Sequence, residues 1–167
     1  TISNWLITPV LNLQNGDVVT FYSRTGGTSS PYPDGLEVRL NSTDTSAAGT
    51  PSGATGVGAF TTLAVAINPN LTTTGYPLVW TQYSYTISGL TGVVPCKIGF
   101  RYFVTDGGPS GNNSNIIGID TFSVDRPVAS ADSFFANNFS MYPNPVANEL
   151  NIVAKTNNTI NAISIVD

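Results

Sequence analysis

The sequence predicts an all-β protein, a jelly-roll-like two-sheet β-sandwich followed by a short C-terminal β appendage. Three observations carry that expectation. No window of a dozen residues keeps a 3.6-residue apolar period. Short runs rich in β-branched and aromatic residues recur up to residue 125, with Gly, Pro, Asn and Asp between them. Charged residues make up only 10% of the 167, with Thr, Ser, Asn and Gly in their place.

The first expected strand spans 5–13 (WLITPVLNL), and Pro9 inside it confines that run to a sheet edge or a bulge. Asn15-Gly16-Asp17 is a tight turn into 17–24 (DVVTFYSR), so the two runs are expected to form a hairpin. A loop at 25–35 carries Tyr32 and two prolines. In 36–42 (LEVRLNS), Leu36, Val38 and Leu40 fall on one face and Glu37 and Arg39 on the other, one face core and one wet. The stretch 43–59 is rich in Gly, Ser, Thr and Ala, and it is long for a connection in a compact domain, which marks it as mobile or functional.

Residues 60–67 and 78–87 are the next strands. In the second, Val79, Tyr83, Tyr85 and Ile87 share one face, and Leu78, Trp80 and Gln82 the other. The runs 96–105 and 116–124 flank the polar loop GGPSGNNSN and complete about seven strands before residue 126. After Asp125 the texture changes. Residues 126–138 read as a linker, and 139–167 hold two alternating runs, too few for an independent domain.

Composition bounds the function. A net charge of −4 and a pI near 4.4 argue against nucleic acid, because the six basic residues form no cluster. A lone cysteine, Cys96, excludes an intrachain disulfide. No apolar run approaches the roughly 18 residues of a membrane span, so no membrane insertion is expected. No signal peptide is visible, and in a secreted protein it would lie upstream of TISNWLITP.

Two stretches carry a family resemblance. WLITPVLNL, YPDGLEVRLNST, the Trp80 strand, KIGFRYF and IGIDTFSV stand in the order of the cleaved-adhesin, or choice-of-anchor J, domain over residues 4–125. That family resembles this chain in a jelly-roll module of secreted and surface proteins of Bacteroidetes-type bacteria, including the haemagglutinin regions of gingipain proteases. Its members carry a further N-terminal segment before the equivalent of WLITP. FSMYPNPVANELNI is similar to the opening of the C-terminal sorting domain of the type IX secretion system, with YPNP at 142–145 as its signature. The resemblance implies a secreted or outer-surface location, and it implies that the sorting domain is incomplete at Asp167.

Catalysis is not expected. Without histidine there is no Ser-His-Asp triad, no Cys-His pair and no histidine metal ligand. Cys96 opens a strand and reads as a small buried hydrophobe. Asp34 and Glu37 are the nearest carboxylate pair, and Glu37 beside Arg39 reads as a solvated ion pair rather than half of a glycosidase dyad.

Calcium is the candidate cofactor, in a structural role. Asp120 lies between Ile119 and Thr121 in an apolar strand, where a bare carboxylate would cost several kcal/mol. A cation, an arginine such as Arg101, or backbone N–H groups would satisfy it. Related adhesin domains carry structural calcium, and that resemblance implies Asp120 as a ligand; the other reading of Asp120 is hydrogen bonding or plain exposure, and Asp106 and Asn112 in the adjacent loop are either further oxygens or turn residues. Tyr32, Tyr76 and Trp80 are candidate aromatic platforms for a glycan, and Asn113 a polar contact beside them. The expected function is a non-catalytic adhesion or binding module that contacts glycan or an extracellular protein through loops. The alternative is a spacer or accessory domain for an upstream domain of the same polypeptide, a secreted protease or glycosidase.

Overall fold

The computed structural model describes residues 1–127, 137–143, 148–155 and 162. It divides into two compact units, Thr1–Arg126 and Pro127–Asp167. The first unit holds eight strands: β1 (Ile2–Ile7), β2 (Leu11–Leu13), β3 (Val18–Thr25), β4 (Leu36–Asn41), β5 (Thr62–Ile67), β6 (Thr81–Thr86), β7 (Val94–Val104) and β8 (Ile117–Asp125). One sheet runs β1-β7-β4-β5, with β2 continuing β1 along β7, and the other runs β6-β3-β8. Every pairing between these strands is antiparallel, so the fold is an all-β sandwich.

The period of two in the sequence fixes which side chains meet between the sheets. Leu36, Val38 and Leu40 of β4, Cys96, Ile98 and Phe100 of β7, and Val19 and Phe21 of β3 form the buried core. Tyr83 and Tyr85 pack against it from β6, and Ile87 just beyond that strand is buried within it. Phe21 stacks on Tyr83 at 5.5 Å between centroids and meets Phe100 edge-on at 5.2 Å. Cys96 is wholly buried, as a small hydrophobe should be.

The 5–13 run is two strands, because Pro9 cannot donate to the ladder and the chain steps over 8–10 before resuming on β7. The expected hairpin between this run and the next does not form. Gly16, at φ 92, makes the predicted turn, but the turn carries the chain from one sheet to the other. Periodicity reports which face of a run is apolar and is silent on which sheet takes it.

The long connection 43–59 is a cover for the outer face of the larger sheet. Phe60 at its end is buried and lies 5.3 Å from Trp5, and both rings press on Gly99, where a Cβ would come within 3.0 Å of each. Arg101, 3% exposed, sits in the same layer. It donates to Glu37 Oε2 at 3.1 Å, to Ser3 Oγ at 3.0 Å and to the Ala54 carbonyl at 3.2 Å. Its guanidinium lies 3.8 Å from the Phe103 ring centre. Glu37 takes a second guanidinium from Arg39 at 2.7 Å. Burial would raise the Glu37 carboxyl, but the hydrogen bonds from Arg39 and Arg101 outweigh it and hold it below its ordinary range.

The two sheets are unequal. The order is that of an eight-stranded jelly roll in which, among the described residues, the place beside β8 is unfilled. Leu6 pairs across from Phe100 on the inner face of its sheet and is nonetheless 61% exposed, because no strand of the smaller sheet lies over it. A groove of about 220 Å³ runs there, lined by Leu6, Phe100, Ile117 and Ile119 among others.

In the second unit, β9 (Phe139–Tyr142) and β10 (Asn151–Ala154) form an antiparallel pair. The YPNP signature lies partly, and the alternating run after residue 155 almost wholly, outside the described residues. Most of the expected linker at 126–138 is outside them too.

Candidate functional site

Three loops meet at one end of the sandwich: 26–35 between β3 and β4, 68–80 between β5 and β6, and 105–116 between β7 and β8. Asp34 joins them. Its carboxylate Oδ1 accepts the Tyr102 hydroxyl at 2.6 Å and the Asn115 N–H at 2.7 Å, and its backbone carbonyl accepts the Asn68 amide at 2.8 Å. Tyr102 also contacts Ser114 Oγ at 3.0 Å, and the Ser114 N–H donates to the Pro33 carbonyl. Asn68, Leu71, Asp106 and Ser114 all adopt positive φ, a cost these residues bear only where surrounding contacts impose it. Burial, with the Asp34 carboxylate next in weight, pushes the Tyr102 phenol up to about 12, so it remains a donor at neutral pH.

Beside this junction the first two loops enclose a cleft of about 360 Å³. Thr28, Ser29, Ser30, Thr73 and Thr74 line it together with Leu78, and no charged side chain does. Trp80, two residues along the chain from Leu78, is 46% exposed, its ring laid over Gly118, where a Cβ would fall 2.7 Å from the indole. The Arg24 guanidinium is 5.8 Å from that ring centre. Gly118 and Arg24 thus pack against an aromatic ring that stays 46% exposed.

The candidate residues separate into groups. Tyr32 is 52% exposed on the first loop and can serve as a platform, as can Trp80. Tyr76 cannot: it lines the cleft, but it is 2% exposed, bonded to Ser23 Oγ at 2.7 Å, and its phenol is pushed far up by burial. The sequence offers no sign of this, since Gly75 and Pro77 around it look like loop and the partner Ser23 lies 53 residues away. Asn113 is spent on the loop itself, donating to the Thr105 carbonyl at 2.9 Å.

Asp120 is exposed, the second of the two readings its sequence allowed, and not a carboxylate enclosed by its apolar neighbours. Between Thr20 and Tyr22 the ladder slips, so that two residues of β8 oppose Phe21. Thr121 takes φ 50 at this bulge, and Asp120 turns to solvent with Oδ1 accepting the Thr121 N–H at 2.7 Å. Arg101 is not its partner either, because it points to the outer layer of the other sheet. The Asp106 carboxylate is taken by the Asn112 side-chain N–H at 2.8 Å, which turns the amide nitrogen toward it rather than a second oxygen. No group of three or more His, Cys, Asp or Glu residues comes together among the described residues. Asp120 and Asp106 are thus each engaged locally, by the Thr121 N–H and by Asn112.

Two carboxylates are buried without any sign of it in the sequence, although Asp34 is considered there beside Glu37. Asp17, 1% exposed, is bound by Arg126 through Nε at 2.8 Å and Nη2 at 2.9 Å, and it accepts the Gln14 N–H. The Arg126 hydrogen bond, working against burial, holds its carboxyl at about 2. Asp34 is the other. Both sit next to glycine in turn-like sequence (NGD and PDG), where an Asp ordinarily serves local turn chemistry, so nothing local betrayed their burial.

Among the described residues no helix is long and apolar enough to cross a membrane. No family model matches the chain, and no curated protein or solved structure matches it either.

Proposed function

We propose that the chain is a non-catalytic binding module of a secreted or cell-surface protein, taking a glycan or an extracellular protein at the loop end of the sandwich. One observation carries this reading: the loop end of the sandwich holds an open, uncharged cleft lined by Thr28, Ser29, Ser30, Thr73, Thr74 and Leu78, two residues along the chain from the exposed Trp80. Hydroxyl side chains exchange hydrogen bonds with hydroxyl ligands in either direction. An aromatic face supplies apolar area with little conformational freedom to lose, which suits it to anchor a bound ligand. The absence of histidine supports a role without catalysis. The bacterial surface setting rests on the family resemblance.

The test is binding of the full 167-residue chain to broad glycan and matrix-protein arrays, followed by calorimetry on any hit. A saturable ligand whose affinity falls about tenfold or more in Trp80→Ala or Tyr32→Ala supports the reading, a loss of about 1.4 kcal/mol. Arrays at background, or a ligand indifferent to both substitutions, would remove the cleft from the account and leave the spacer role.

A further inference from the structure

We infer that the open side of the sandwich, between β1 and β8, takes an extended strand of another polypeptide, apolar on one face and basic on the other. β8 pairs with β3 on one side only, so the N–H and C=O groups it turns away from β3 meet no strand among the described residues. An exposed edge of this kind is a template for a further strand. Beside it the inner face of β1 lies uncovered. Leu6 is 61% exposed there, and Phe122 of β8, its ring 5.7 Å from that of Phe100, is 38% exposed. Leu6, Phe100, Ile117 and Ile119 line the groove of about 220 Å³ that results. An added strand would send every second side chain into it. The groove shares no lining residue with the cleft at the loop end, and the inference does not depend on that cleft.

Charge decides the occupant. β8 carries Asp120 and Asp125, both exposed, and neither β1 nor β8 holds a basic residue to balance them. Arg126, next along the chain, is committed to Asp17. A strand laid on this edge therefore gains from Lys or Arg opposite the carboxylates and loses from Asp or Glu. A second copy of the chain cannot supply such a strand. The sheet edges of the sandwich are β1, β5, β6 and β8, and none of the four holds Lys or Arg. The strands that do, β3, β4 and β7, are internal to their sheets. Pairing β8 with its own copy would put only acidic side chains along the joint. The bulge at Asp120 and Thr121 works in the same direction, because it breaks the flat run that self-pairing needs. It leaves the stretch from Ile117 to Ile119 as the straight segment for a partner.

The experiment offers the full chain a capped, dye-labelled peptide, KVTVKVTVK, whose valines fall on one face and whose lysines and threonines fall on the other. Fluorescence anisotropy reads the affinity, amide chemical shifts read the location, and sedimentation reads the oligomeric state without peptide. Binding should saturate below ~1 mM, with shifts confined to β1, β8 and the β7 residues beneath the groove. The acidic counterpart EVTVEVTVE should bind about tenfold more weakly, and Asp120→Lys should narrow that gap to within about threefold. Leu6→Arg alters a side chain already in solvent and should abolish binding of the basic peptide. Leu63→Arg, on the opposite edge strand β5, should leave it unchanged. The basic peptide with every backbone nitrogen methylated should not bind, which tests the edge pairing without altering the protein. No binding, equal affinity for the two peptides, shifts centred on the cleft loops, an unaffected Leu6→Arg or binding of the methylated peptide overturns the inference. So does a dimer joined through β8, or a crystal in which the chain's own residues fill the groove.

Discussion

Truncating Arg101 to alanine measures how far the outer layer of the larger sheet depends on one guanidinium. The side chain makes three hydrogen bonds, to Glu37, Ser3 and the Ala54 carbonyl, and stacks on Phe103 with Trp5 at 5.5 Å on another side. Hydrogen bonds to a charged group contribute about 1.5–3 kcal/mol each, and a desolvated cation–π contact about 2 kcal/mol. Against them stands the desolvation of the buried guanidinium, several kcal/mol. The net cost of breaking a buried pair is about 3–5 kcal/mol, and the low end applies because Glu37 keeps Arg39 at 2.7 Å. In a unit that ends at Arg126, about 3 kcal/mol corresponds to a fall of about 12 °C in midpoint. Urea unfolding followed by tryptophan fluorescence, to which Trp5 in the contact contributes, gives the free energy directly. Arg101→Lys keeps the charge without the planar fork, so it should recover less than half of the loss. A lysine variant as stable as wild type, or an alanine variant within about 1 kcal/mol of it, would refute the account.

Three further outcomes follow from the buried ionisable groups. Asp17 has its carboxyl held at about 2 against an ordinary 3.8, so its contribution is present above the unfolded value and is lost as pH falls from about 3.8 toward 2. Thermal midpoints across that window should drop more steeply in wild type than in Arg126→Ala, which starts lower, and parallel curves would contradict the pairing. Tyr102, raised to about 12, folds best as the neutral phenol; its contribution is full below about 10 and is lost as pH rises toward 12. Ultraviolet titration of the folded chain at pH ~11 should therefore leave Tyr102 and Tyr76 un-ionised until unfolding releases them, and Tyr102→Phe should remove one from the delayed group. Cys96 is wholly buried, and burial pushes its thiol up, so a disulfide reagent should label it only at the rate of opening in urea. Immediate stoichiometric labelling of native protein would contradict its position in the core.

The order of apolar and polar residues determined the all-β class and the inward face of the most regular run, while the 78–87 run begins its strand only at Thr81 and leaves Val79 69% exposed. Leu36, Val38 and Leu40 alternate with Glu37 and Arg39, and the chain has no freedom to bury the wrong set. The same local signals set the Gly16 turn and the break at Pro9. Exposure of Tyr32 and Trp80 was legible in part, because a proline-bound loop and a polar alternation leave little room to hide them.

What sequence order could not decide was every property that depends on a partner far along the chain. Tyr76 looked exposed until Ser23 claimed its hydroxyl from 53 residues away. Asp120 looked buried until a bulge opposite Phe21 turned it out. Asp17 read as part of a turn, and Asp34 as a neighbour of Glu37, until Arg126 and three loops closed over them. Whether a carboxylate meets water, a guanidinium or nothing is set by the packing of sheets and loops, because the electrostatic environment belongs to the assembled neighbourhood and not to the flanking residues. The strands of this protein were written along the chain, and its charged interior was decided only when the two sheets met.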